Sequence, residues 1–181
     1  MRSLVLFLAL FAAPTLAQEA PNWEVTVDLD QDGAPERYAL KENGTGTVDL
    51  VIDSRAGRAT AAGIAWDGGM AGQEPDLALG ASGAVRLTSR NDSVGRDRWT
   101  LTLTLAHRDG ELRVAGVTYE WHDTLDSEGG WGSCDINLLT GQGVVVGPAG
   151  QEEITVPYPA PAAWEWTDAE VPQRLPAECF G

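Results

Sequence analysis

Trp99-Thr100-Leu101-Thr102-Leu103-Thr104-Leu105-Ala106-His107, then Asp109-Gly110, then Leu112-Arg113-Val114-Ala115-Gly116-Val117-Thr118-Tyr119-Glu120-Trp121, is the stretch that decides the fold. Alternating leucine and threonine puts Leu101, Leu103 and Leu105 on one face of an extended chain, a period of two that no helix shares. Thr100, Thr102 and Thr104 line the opposite face, expected to be solvated. Asp109-Gly110 suits a tight turn with positive φ, so the two runs pair as a hairpin. On the return arm the apolar phase is Leu112 and Val114, then Val117, Tyr119 and Trp121. That offset of one residue predicts a β-bulge at Ala115-Gly116.

The same grammar extends outward. In Trp23 to Leu29 the apolar residues fall on odd positions, with Glu24, Thr26 and Asp28 facing away. Arg37 to Lys41 reads as the returning arm of a hairpin, Asn43-Gly44 as a turn, and Val48, Leu50 and Ile52 as the next inward row. Shorter strands are expected at 62–66, 77–79, 85–89, 136–139, 144–146 and 154–156, and an extended segment from Pro157 to Pro161. The 21 glycines and 10 prolines punctuate these runs, and no helical stripe or internal repeat emerges. The expected class is all-β, an antiparallel β-sandwich or partly open barrel.

Met1-Arg2-Ser3, an apolar run from Leu4 to Ala13 and small residues up to Ala17 form the pattern of a secretory signal. The expectation is a signal peptide over 1–17 and one mostly-β domain over 18–181. The product would be secreted or periplasmic and would not insert in the membrane after cleavage, since no later run approaches the length of a spanning helix. Cys134 and Cys179 are the two cysteines, and in an oxidising compartment such a pair is expected to form a disulfide. With 27 acidic against 12 basic residues, the formal net charge is −15. Such a chain repels phosphate backbones, so nucleic acid is excluded as a partner.

Asp28-Leu29-Asp30-Gln31-Asp32-Gly33-Ala34-Pro35-Glu36 carries the sharpest chemistry. Alternate carboxylates in a tight loop aim at one centre, glycine permits the bend, and calcium takes six to eight oxygen ligands. Asp28, Asp30, Asp32 and Glu36 through their carboxylates, and Ala34 through its carbonyl, are the expected ligands of a Ca2+ ion. A solvated acidic turn is the plainer alternative. The spacing resembles the calcium loops of FG-GAP/VCBS repeats and the first half of an EF-hand loop. It departs from the EF-hand at Ala39, where that family carries a bidentate glutamate. The resemblance implies a calcium-bound loop joining two strands. More loosely, the order of acidic loop, Asp-Gly hairpin and Cys134-Asp135-Ile136-Asn137 resembles uncharacterised secreted bacterial proteins, which implies export and no particular activity.

Other candidates are weaker. Glu120, His122, Asp123, Asp126 and Glu128 gather near a strand end and a glycine-rich loop, where a glycoside hydrolase keeps its acid and base. His107 has no recognisable partner. Among seven tryptophans, Trp131, Trp164 and Trp166 lie in loop-like segments and could stack sugar rings. The function expected is therefore an exported noncatalytic binding or structural module with a calcium-stabilised loop, its partner an extracellular or envelope protein or glycan. The alternatives are a carbohydrate-active protein, either a glycan-binding module or a weak hydrolase, and an acidic inhibitor of a basic secreted enzyme.

Overall fold

The computed structural model describes residues 22–157 and 160–180. The expected signal segment over 1–17 lies outside the described residues, as do Tyr158 and Pro159 of the expected extended segment. Two antiparallel sheets pack as an open sandwich. The first holds β1 (Glu24–Val27), β2 (Glu36–Glu42), β3 (Thr47–Ser54) and β4 (Gly57–Trp66). The second holds β5 (Asp76–Leu79), β6 (Val85–Asn91), β7 (Asp97–Arg108), β8 (Glu111–Asp123), β9 (Asp126–Asn137), β10 (Gln142–Gly147) and β11 (Gly150–Thr155). Strands follow each other in chain order within each sheet, so each is an antiparallel meander built from hairpins. Residues 67–75 carry the chain from one sheet to the other. Asn22 ties the start of β1 to β5: its carbonyl accepts from Leu77 N–H (2.7 Å), and its side-chain amide donates to the Leu77 carbonyl (3.1 Å).

The β7–β8 hairpin forms as its sequence dictates. Asp109 (φ 55°) and Gly110 (φ 81°) both take the left-handed conformation that a two-residue turn of this kind requires. Leu105 pairs with Val114 but Thr104 pairs with Gly116, which leaves Ala115 as the extra residue of a bulge. The Ala115 carbonyl freed by the bulge accepts Leu138 N–H at 2.9 Å. Alternation resumes beyond it, and Leu101, Leu103, Leu105, Val114 and Val117 are buried. They meet Val48, Leu50 and Ile52 from β3 in one core cluster, which Trp23, Val27 and Leu29 flank as partly buried neighbours.

Several expectations need correction. The threonine row is not uniformly solvated: Thr102 is buried and shares a 3.0 Å hydrogen bond with Thr88 on the neighbouring strand. The expected short strand at 136–139 is instead the end of β9, which begins at Asp126, while 138–140 turn toward β10. Its glycines look like loop residues in the sequence, yet they make room. A Cβ on Gly132 would sit 2.9 Å from three atoms of the Trp121 indole, so Trp121 crosses β9 only because that side chain is missing.

The chain end closes the sandwich. Ala163–Glu165, Asp168–Glu170 and Ala177–Phe180 are 3-10 turns around one short helix, α1 (Val171–Arg174). Val114 N–H donates to the Pro161 carbonyl (3.0 Å), which seats the tail beside β8. Trp166, expected to be an exposed sugar-stacking residue, is 0% exposed and belongs to the core. Burying an indole of this size contributes about 4–6 kcal/mol before ordering costs. Arg174 lies 5.4 Å from the centre of the Trp166 ring, donates to the Glu165 carbonyl and pairs with Glu170 one turn earlier. Cys134 on β9 and Cys179 in the last turn form the expected disulfide, with a Cα–Cα distance of 5.1 Å. A bridge of this kind belongs to an oxidising compartment. Among the described residues no helix is long and apolar enough to cross a membrane.

Candidate metal centre

The acidic loop joins β1 to β2, as its position between two alternating runs requires. Gln31 (φ 62°) and Gly33 (φ 87°) turn the backbone left-handed, and the loop's amides are satisfied by its own carboxylates. Asp32 N–H donates to Asp30 Oδ1 (2.9 Å), Gly33 N–H to Asp28 Oδ2 (3.0 Å) and Ala34 N–H to Asp32 Oδ1 (2.8 Å). Across the hairpin, Leu29 N–H donates to Glu36 Oε2 (2.8 Å). Each aspartate is thereby pinned by one oxygen, while the second oxygen of Asp32 faces the exposed Arg55.

Asp28, Asp30, Asp32 and Glu36 each present one carboxylate oxygen within 4.8 Å of the others. A hard cation with metal–oxygen distances of about 2.4 Å has opposite ligands about 4.8 Å apart, so the four oxygens fit one coordination sphere. Burial is graded: Asp30 and Asp32 are exposed, Asp28 is half-buried, and Glu36 is 4% exposed. Tyr38 donates its hydroxyl to Glu36 Oε2 (3.2 Å). Burial first, and the Glu36 carboxylate second, push the Tyr38 phenol far above its usual range, which keeps it a donor.

Compensating charge is scarce. Among the described residues, the one basic group at ion-pair distance from the cluster is the exposed Arg55, 3.7 Å from Asp32 Oδ2. Arg37, adjacent to Glu36 in the chain, is engaged by Glu24 and Asp53. Asp28 Oδ1 is buried and has no hydrogen-bond partner. A buried carboxylate oxygen without a donor is costly unless a cation faces it.

The second acidic group does not converge on a catalytic pair. Asp123 forms a forked ion pair with Arg96, whose guanidinium holds the carboxyl below its usual range. Asp126 Oδ1 accepts Gly129 N–H (2.9 Å), while Glu120, His122 and Glu128 point to solvent on β8 and β9. His107 is the penultimate residue of β7, half-buried. Trp131 lies on β9 rather than in a loop and is 37% exposed; Trp164 is 49% exposed. Trp131 and Trp121 border a cleft of about 370 Å3 with Gln151, Glu152 and Glu178.

Another cleft escapes the sequence entirely. Trp66 at the end of β4, Trp99 on β7, Tyr119 on β8 and Phe180 in the last turn form a chain of rings, with centroids 5.2, 6.5 and 5.4 Å apart. With Asp168 and Pro172 they line a cleft of about 190 Å3. Residues from both sheets and the tail meet there, and the available signal was only the high tryptophan count. Comparison with protein-family models, curated proteins and solved structures finds no match to this chain.

Proposed function

We propose that this chain is an exported, noncatalytic β-sandwich module whose first hairpin is clipped by a calcium ion, and that it binds an extracellular or envelope partner. Asp28, Asp30, Asp32 and Glu36 would hold the ion, with the Ala34 carbonyl completing the protein's share of the shell. The observation that carries the reading is the buried, unpartnered Asp28 Oδ1 beside three further carboxylates whose oxygens gather within 4.8 Å. The donor set is all oxygen and mostly anionic. That suits calcium better than zinc, which favours nitrogen and sulfur, or magnesium, which keeps much of its water.

An ion here links the end of β1 to the start of β2 and neutralises charge that otherwise opposes the turn. A structural clip follows, because the loop joins two paired strands of one sheet and, among the described residues, no helices flank it to be opened. Isothermal titration of the purified protein with calcium tests it: one saturable site is expected, weakened or lost in Asp30→Ala and Asp32→Ala. At a free calcium concentration of 100 times Kd, linkage adds about 2.7 kcal/mol, a rise in Tm of roughly 5–11 °C. Absence of saturable binding in the parent protein would remove the site.

A glycan-binding role is the second reading. It is favoured by the cleft of about 370 Å3 where Trp121 and the partly exposed Trp131 stand near Gln151, Glu152 and Glu178, an aromatic platform beside hydrogen-bonding groups. Glycan-array retention that falls in Trp131→Ala would support it.

A further inference from the structure

We infer that the aromatic cleft at the other end of the first sheet is a binding site for a small, free quaternary or methylated ammonium solute, held by Trp66, Trp99, Tyr119 and Phe180 with Asp168 as its counter-charge. The cleft is remote from the acidic loop. The loop adjoins Val27 and Glu36, which pair with each other, whereas Trp66 pairs with Thr47 at the opposite end of β3. The two sites therefore stand or fall separately.

Three features select this chemistry. The first is the wall: successive ring planes are tilted by 51°, 35° and 57°, so no ring is sealed face to face by its neighbour. Aromatic faces carry negative potential and attract cations that shed their water readily, as alkylated ammonium groups do. The second is Asp168, the single carboxylate among the described residues of the lining. Among the described residues no Lys, Arg or His pairs with it, and Arg174, the base on the adjoining helix, is committed to Glu170, the Glu165 carbonyl and the Trp166 ring. Burial raises the Asp168 carboxyl above its usual range, a hydrogen bond from the Trp66 backbone N–H opposes that rise, and a cation in the cleft would favour the charged form further.

The third feature is size and polarity. At about 30 Å3 per water, 190 Å3 replaces roughly six waters, enough for an ammonium headgroup and a short substituent. Beyond Asp168, the lining is aromatic or aliphatic save for the Tyr119 hydroxyl and the indole N–H groups. A sugar's hydroxyls would be left largely unpaired there, whereas a tetraalkylammonium has none to satisfy. The formal charge of −15 also draws cations toward the protein.

The test titrates tetramethylammonium, choline, the neutral choline isostere 3,3-dimethylbutanol and glucose into the purified protein, followed by calorimetry and tryptophan fluorescence. Saturable binding of both cations is expected, at least tenfold tighter than the isostere, with no saturable response to glucose. Asp168→Asn should weaken choline binding about tenfold while Asp168→Glu restores part of it. Co-sedimentation with phosphatidylcholine vesicles is expected to leave the protein in the supernatant. Equal affinity for choline and its isostere, saturation by glucose alone, or an unchanged affinity in Asp168→Asn would overturn the assignment, and pelleting with vesicles would overturn the free-solute part of it. The choline and isostere comparison uses the parent protein, so it decides the matter even if a variant misfolds.

Discussion

Removing the Cys134–Cys179 bridge should cost a large share of this protein's stability while leaving its topology intact. The two cysteines are 45 residues apart and both are 1% exposed. In the chain-entropy model a closed loop of that length restricts the unfolded chain by about 4 kcal/mol at 25 °C. Domains typically have 5–15 kcal/mol in all, so the folded state survives but with a reduced margin. The tail still holds its place through Trp166, Val171, Leu175 and Ala163, which are buried without help from the bridge. The assay is urea and thermal denaturation of the oxidised parent, the reduced parent and Cys134→Ala/Cys179→Ala. Reduction should lower Tm by roughly 8–16 °C. The m value should rise, because an uncrosslinked chain exposes more surface on unfolding. Because Phe180 follows Cys179, reduction should also loosen the aromatic cleft. A loss below about 1 kcal/mol with unchanged m would refute the reasoning, since it would mean that the bridge scarcely restricts the unfolded chain.

Deleting Ala115 should be tolerated at a cost of about 1–2 kcal/mol, because Val114 still faces inward opposite Leu105 and Val117 opposite Leu103; deleting Thr118 instead should turn Tyr119 and Trp121 to the wrong face and prevent cooperative unfolding by circular dichroism. Gly132→Ala places a methyl against the Trp121 indole and should cost about 1–3 kcal/mol in urea denaturation, with altered tryptophan fluorescence. Asp168→Asn should raise Tm at neutral pH. The raised folded carboxyl gives stability that is fully present below its unfolded value and lost as pH rises through the folded one, so the gain should shrink as pH falls toward about 4. A gain that persisted unchanged at low pH would show that burial of the charge is not its cause.

Local rules were legible wherever a period of two could be counted. Leu101 to Leu105, the Asp109-Gly110 turn and the one-residue slip at Ala115 could all be read from adjacent residues, because side-chain alternation and turn sterics act over a few residues. The acidic loop was legible for the same reason: its carboxylates are close in sequence, and the turn set by Gly33 brings them close in space. The extent of β9 was not legible, since Gly129, Gly130 and Gly132 signal a loop until Trp121 is known to lie across the strand. Nor was the burial of Trp166, whose local context of Pro, Ala and Glu gives no face, and which is drawn inward only because the open sandwich needs an end closed.

From its sequence alone the chain declared an all-β class, its main hairpin with the bulge, a cysteine pair and a compact acidic loop, all governed by interactions between near neighbours. Tertiary structure alone decided the strand order, the division into sheets of four and seven strands, the docking of the tail and the cleft where Trp66, Trp99, Tyr119, Asp168 and Phe180 meet. Those residues span more than a hundred positions, and they meet through the pairing of β7 with β8, the bridge beside Phe180 and the burial of apolar surface between two sheets, a force without sequence range or direction.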